Sequence, residues 1–200
     1  MRLFIIDTET TGITENDQVC EIAGTQYEIA VNGSYKGAIA SISTLMPVFS
    51  NDAELINGIA PKLTRVHEGF SAEHGNHKLS VSLFKTMAAA SDYCVAFKAE
   101  FDAPLIDALI GKQKWLCAMQ DFDWGYTRIN AYGGYKLIDL ALWMGIGIST
   151  AHRAGDDVRL LVECLNRTPN LQEMVERGIE RWLRPGLRLR KYQFLNSKLR

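Results

Sequence analysis

The patterning of the chain predicts an α/β fold, a mixed sheet of about five strands (three antiparallel, then two parallel) flanked by helices. Three observations carry this. The first quarter reads as three apolar, β-branched segments joined by turns. From residue 93 onward, short buried-type strands alternate with stretches of helical spacing. Finally, 200 residues with 47% hydrophobic and 22% charged side chains suffice for one domain with a proper core, and hardly for two.

Leu3-Phe4-Ile5-Ile6 opens the chain as an apolar strand running into Asp7-Thr8-Glu9-Thr10-Thr11-Gly12. Gln18 to Val31, with Val19, Ile22, Ile29 and Val31, reads as the second strand, and Asn32-Gly33 as a hairpin turn. Gly37 to Val48 continues as a third strand ending at Pro47. Ser50 to Gly75 is rich in turns. Leu79 to Ala90 has helical spacing through Leu79, Leu83, Phe84, Met87 and Ala88. Tyr93 to Phe97 is the next strand, and Asp102 to Ile110 a helix stopped by Gly111. Trp115 to Met119 reads as the last strand. After a loop rich in Gly and Tyr (Tyr126 to Tyr135), helices follow over Lys136 to Met144 and Ala154 to Leu165, the second with Val158, Leu161, Val162 and Leu165 inward. There is no internal repeat.

Charge is unevenly divided. Residues 177–200 hold eight basic residues against the single acid Glu180, leaving 14 basic and 22 acidic residues in the other 176. An acidic body suits a carboxylate metal site. Cys20, Cys94, Cys117 and Cys164 have no zinc-type spacing and read as small buried hydrophobes of a reducing cytoplasm. Asp7 interrupts the first apolar run, so no signal peptide is expected. Leu140 to Ile148, the longest later run, is too short for a membrane span. The expectation is a cytoplasmic protein with no membrane partner.

Asp7 and Glu9 are the chemically loaded pair. Side chains alternate along a strand, so both leave the same face, roughly 6–7 Å apart along the backbone. Two carboxylates so placed repel each other, and a protein relieves that by protonation or by binding a cation. Hard oxygen ligands without sulfur suit Mg²⁺ or Mn²⁺. Asp102 stands in Ala99-Glu100-Phe101-Asp102-Ala103-Pro104, where a helix cap is the plain alternative. In His152-Arg153-Ala154-Gly155-Asp156-Asp157, helical geometry turns Asp157 toward the inward stripe and Asp156 away from it. Asp156 then serves as a first-turn acid favoured by the helix dipole. His152 can reach the same site from the loop preceding the helix.

The string from Leu3 to Gly12 resembles the first motif of the DEDDh, or DnaQ-like, 3′→5′ exonuclease family. Ala96-Phe97-Lys98-Ala99-Glu100-Phe101-Asp102 is similar to its second motif, A-H-N-A-x-F-D, with Phe97-Lys98 where His-Asn is usual. His152 to Asp157 resembles the third, H-x-A-x-x-D. The resemblance runs from the first strand to about Leu165. It implies a ribonuclease-H-like fold over residues 1–168, with 169–200 a helical, basic extension rather than an independent domain. It further implies hydrolysis of phosphodiester bonds from 3′ ends of single-stranded DNA or RNA. Asp7, Glu9, Asp102 and Asp157 would hold two divalent cations, Mg²⁺ or Mn²⁺, with Asp7 bridging and His152 as general base.

By position in the family pattern, Thr10 and Thr11 would offer backbone or hydroxyl contacts to the terminal nucleotide, and Ile13 an apolar wedge, with ordinary packing the alternative for Ile13. Lys98 could meet a phosphate and Phe97 an apolar group, against the plainer reading of both as surface or core residues. The Tyr126 to Tyr135 loop could stack exposed bases or be a plain loop. Glu173 to Leu183 has helical character, broken by Arg184-Pro185-Gly186. The basic, aromatic tail beyond could grip phosphates, dock a polymerase or other protein, or fold back on the domain. A homodimer also stays open. The rivals to a free-standing exonuclease are a polymerase-associated proofreading subunit and a catalytically silent nucleic-acid-binding module of the same fold.

Overall fold

The computed structural model describes residues 1–14, 16–30, 34–65, 76–127, 134–148 and 152–183. Its sheet is built from β1 (Arg2–Thr10), β2 (Val19–Ile29), β3 (Lys36–Leu45), β4 (Tyr93–Ala96) and β5 (Trp115–Cys117). The helices are α1 (Glu54–Asn57), α2 (Pro61–Thr64), α3 (Asn76–Ala89), α4 (Ala99–Ile110), α5 (Ala118–Asp121), α6 (Leu137–Trp143), α7 (Ala154–Arg167) and α8 (Leu171–Leu183). Strand order is β3-β2-β1-β4-β5. The pairs β1–β2 and β2–β3 are antiparallel, and β1–β4 and β4–β5 are parallel. This is the expected mixed five-stranded α/β architecture, consistent with a ribonuclease-H-like fold.

β1 is central and divides its side chains strictly. Leu3 and Ile5 join the cluster formed with Val158, Leu161 and Leu165 of α7 and with Leu140 of α6. Phe4 and Ile6 join the cluster on the other face, with Phe84 of α3 and Ala103 and Ile106 of α4. The Phe4 and Phe84 rings meet edge-on with centroids 4.8 Å apart. Gly24 on β2 makes room for them, since a Cβ there would lie 2.4 Å from the Phe4 ring. Burying such a ring is worth about 1.5–3 kcal/mol.

α7 lies across β1 and β2. Its far end is anchored by Lys36, whose ammonium donates to the carbonyls of Leu165 and Thr168, the favourable place for a cation on a helix. Leu171, Met174 and Val175 of α8 belong to the same buried cluster as β1 and α7. The start of the basic extension is therefore packed into the core.

Several expectations need correction. The turn-rich segment contains two single-turn helices, α1 and α2, too short for periodicity to reveal. α4 begins at Ala99, so Asp102 lies in its first turn and Lys98 takes the cap position. The last strand stops at Cys117, where the chain turns into α5. Asn32-Gly33, the middle of the Tyr-rich loop and everything from Arg184 onward lie outside the described residues. All four cysteines are buried, none in a disulfide. Among the described residues, no helix is long and apolar enough to cross a membrane.

Candidate metal centre

β1 runs past its parallel neighbour. Its pairing with β4 ends at Ile5↔Val95, whereas its pairing with β2 continues to Glu9↔Glu21 and shifts register immediately afterwards. Asp7 and Glu9 thus sit on a stretch of β1 flanked by a strand on one side only, on the face covered by α7. Asp157 comes down from the first turn of α7. Carboxylate oxygens of Asp7, Glu9 and Asp157 all lie within 4.8 Å of one another. These residues are brought together by strand alternation and by the apolar stripe that seats α7.

Asp102 approaches from the other face. It is buried (3% exposed), and Thr8 Oγ1 donates to its Oδ1 at 2.8 Å. Thr8 points to the α4 side of β1, so Asp102 reaches the open edge of the strand beside Asp7 instead of joining the three-acid group. Its charge is nonetheless the strongest of the neighbouring charges acting on Asp7. The helix-cap alternative for Asp102 does not describe it: its carboxylate faces a strand hydroxyl 94 residues away.

Electrostatics describe a pocket short of positive charge. Burial holds Asp7 well above the usual carboxylate range, and repulsion from Asp102, Asp157, Glu9 and Glu21 adds to it. Burial and then Asp157 push Glu9 up to about 7. Burial also lifts Asp102 to about 7 against the opposing Thr8 hydrogen bond. Asp157 is raised by burial, while the nearby His152 imidazole and backbone amide favour its charged form. Four acids strained in this way are a fit for a hard divalent cation, which supplies the missing charge and takes oxygen donors.

His152 is exposed, on the loop before α7, with a left-handed φ of 64°. Asp156 points away from the cluster's helix face and pairs with Arg159 at 3.9 Å. The segment after β1 is internally braced. Thr10 Oγ1 donates to the Gly12 carbonyl at 2.6 Å, and Thr11 Oγ1 donates to Asp17 Oδ1 at 2.9 Å. Asp17 Oδ2 also accepts from the amide and hydroxyl of Thr14. Both threonine hydroxyls are thus engaged within the loop, while Ile13 at its tip is 94% exposed.

Phe97 is 8% exposed and packs edge-on against Tyr135, with centroids 5.5 Å apart. Lys98 is exposed. Tyr126 and Tyr135 pack on each other, Tyr126 also meets Trp143, and the Tyr135 hydroxyl donates to the Met119 carbonyl. The described tyrosines of that loop are therefore part of the fold's own packing.

Sequence reasoning overlooked Glu21, Arg153, Thr8 and Asn57. Glu21 is a buried acid inside an apolar strand, and it accepts two hydrogen bonds from Arg153. A single charge within Val19-Cys20-Glu21-Ile22-Ala23 was the available signal, because an unpaired charge does not stay buried. Asn57, also buried, donates to the Thr10 carbonyl and ties α1 to the end of β1. Nothing local in the sequence marks it.

No protein-family model matches the chain. The chain is similar to DNA polymerase III subunit epsilon of Treponema pallidum (strain Nichols), at 29% identity over 178 residues. That alignment covers 78% of this chain and 71% of the relative.

Proposed function

We propose that this chain is a metal-dependent 3′→5′ exonuclease of the DEDDh kind, acting on single-stranded 3′ ends of DNA or RNA. The observation that carries this reading is the convergence of Asp7, Glu9 and Asp157 to within 4.8 Å, with Asp102 buried beside them and His152 at the neighbouring loop. Similarity to a polymerase III epsilon subunit supports the same class.

In this reading Asp7, Glu9, Asp157 and Asp102 would hold two divalent cations, Mg²⁺ or Mn²⁺. When bound, the ions supply Lewis-acid activation and offset the charge that builds at the scissile phosphate. Asp7, with acids on both sides, would be the ligand at the middle of that set. The Thr8 hydroxyl favours the charged form of Asp102, the form that would bind a cation, against the upward push of burial. His152 accepts the proton of the attacking water at an imidazole nitrogen as the new P–O bond forms and the bond to the departing 3′ oxygen breaks. Ile13 meets the terminal base, and exposed Lys98 is available to a phosphate.

A product ladder from matched 3′- and 5′-labelled DNA and RNA oligonucleotides, with Mg²⁺, Mn²⁺ or chelator, tests this. Stepwise shortening from the 3′ end, abolished by chelator and by Asp7→Ala, is expected. Undiminished digestion by Asp7→Ala, or none by the wild type with either ion, overturns it.

A second reading, a proofreading subunit, is favoured by the name of the similar protein. It shares the chemistry and differs in partner. Co-purification of a replicative polymerase with the full chain, lost on truncation after Leu183, would separate the two.

A further inference from the structure

Glu21 faces Glu9 directly in the β1–β2 register, so its side chain leaves the sheet on the face that bears Asp7 and Glu9. It is 3% exposed. A carboxylate there is well placed to be one more oxygen ligand, yet it is not among the three acids whose oxygens converge. Its oxygens are engaged elsewhere. Oε2 accepts from Arg153 Nε at 2.9 Å and from the Ala154 amide at 3.0 Å, and Oε1 accepts from Arg153 Nη2 at 2.9 Å. Ser43 Oγ adds a longer bond to Oε1 at 3.3 Å.

Arg153 stands between His152, at φ 64°, and Ala154, the first residue of α7. We propose that Glu21, through Arg153 and the Ala154 amide, is a positioning residue: it fixes the His152 turn over the acidic cluster and is itself kept out of the ligand set. This rests on the exonuclease reading of that cluster. A left-handed backbone at a non-glycine residue costs roughly 1–2 kcal/mol and needs neighbours to hold it. A two-pronged Arg–carboxylate pair fixes orientation as well as distance. Asp157 does not depend on the clamp to the same degree, because Val158, Leu161 and Leu165 seat α7 in the core. His152 is exposed, and beside the bond of its amide to Asp157 it has only the clamp on the following two residues to hold its turn.

The test uses Glu21→Gln and Arg153→Lys, each alone and combined with His152→Ala. The Arg153 side chain is 42% exposed, so Arg153→Lys is the variant that stays folded should Glu21→Gln unfold. Each is expected to lower kcat about 10- to 100-fold on a 3′-labelled oligonucleotide with KM within about threefold, and Arg153→Lys, which keeps every charge, should also hold calorimetric Mn²⁺ affinity within about threefold. On the His152→Ala background the same changes should cost less than about twofold, because the group they position is gone. An equal loss on both backgrounds overturns the proposal.

A second readout needs no turnover. Bound Mn²⁺ should broaden the His152 imidazole resonances, assigned by their absence in His152→Ala, and broaden them less in either variant at equal Mn²⁺ occupancy. Unchanged broadening overturns the clamp. A wild type that digests no oligonucleotide overturns the exonuclease reading, and the broadening comparison still decides the clamp.

Discussion

Thr8 and Asp102 are joined by a 2.8 Å hydrogen bond that carries α4 to the strand bearing Asp7 and Glu9. Thr8 projects away from those acids, so its hydroxyl holds Asp102 from behind the sheet. Thr8→Val keeps the branched shape and removes the donor. Asp102 already titrates near 7, and losing a bond to its charged form moves it higher. Mn²⁺ affinity and kcat should each fall about tenfold at pH 7, with Thr8→Ser close to wild type. The deficit should shrink as pH rises and more of Asp102 ionises. A kcat–pH series with parallel Mn²⁺ titrations checks both.

Asp7 lies at the centre of the repulsion, raised by burial and by four neighbouring acids. Asp7→Asn removes one charge from that group at almost constant shape. In chelator at pH 8 its melting temperature should exceed that of the wild type, since less like charge is confined. Adding Mn²⁺ should stabilise the wild type and leave the variant nearly unchanged, while kcat falls on the order of a thousandfold. Thermal melts with and without Mn²⁺ test the pairing of a more stable fold with a lost activity.

The same acids set a pH dependence. Glu9 and Asp102 rise from ordinary values of 4.5 and 3.8 to about 7 on folding. Between those limits the folded chain binds more protons than the unfolded chain, so stability falls as pH rises. Metal-free protein should lose stability progressively from about pH 4 to 7 as Glu9 and Asp102 ionise. Mg²⁺ or Mn²⁺ should restore it more at pH 7.5 than at pH 5. Denaturant melts at both pH values, with chelator or ion, measure the difference.

Much of this was legible in the sequence for identifiable reasons. Strand alternation alone put Asp7 and Glu9 on one face, and the helical stripe of Val158, Leu161 and Leu165 selected Asp157 over Asp156. Those are local periodicities, and the structure keeps them. Glu21 escaped because its meaning depends on the β1–β2 register and on a partner 132 residues away. Asp102 by itself read as a helix cap, and only the resemblance of its segment to a family motif pointed to a ligand; its bond to Thr8 depends on a residue 94 positions away. Phe97 read as either a contact or a core residue, and only the position of Tyr135 shows the ring buried.

Asn57 provides a test of how the end of β1 is held. Its Nδ2 donates to the Thr10 carbonyl at 3.1 Å, and its Oδ1 accepts from Asn51 Nδ2 at 2.9 Å and from the Ile59 amide at 3.0 Å. Asn57→Ala removes these three buried hydrogen bonds, leaving the Thr10 carbonyl and the Ile59 amide without this partner while Asn51 Nδ2 keeps its 2.7 Å bond to the Ile59 carbonyl. The expected loss is about 2–4 kcal/mol in a denaturant melt, given that an unsatisfied buried group costs roughly 1–3 kcal/mol. Asn57→Asp keeps the acceptor but turns a buried carboxylate oxygen toward the Thr10 carbonyl, so it should lose at least as much stability as Asn57→Ala.

Ile13 separates a substrate contact from ordinary surface. The Thr11–Asp17 and Thr14–Asp17 bonds hold the loop, and the Ile13 side chain is left 94% exposed at its tip. Ile13→Ala therefore removes nothing from the core, and its stability should stay within about 0.5 kcal/mol of wild type. If the side chain meets the terminal base, KM for a single-stranded oligonucleotide should rise about three- to tenfold with kcat little changed, the mark of lost uniform binding. Asp17→Ala, which releases the brace and leaves Ile13 in place, should raise KM in the same direction by a smaller factor. Unaltered KM in both variants would assign Ile13 to plain surface and move the base contact to another residue.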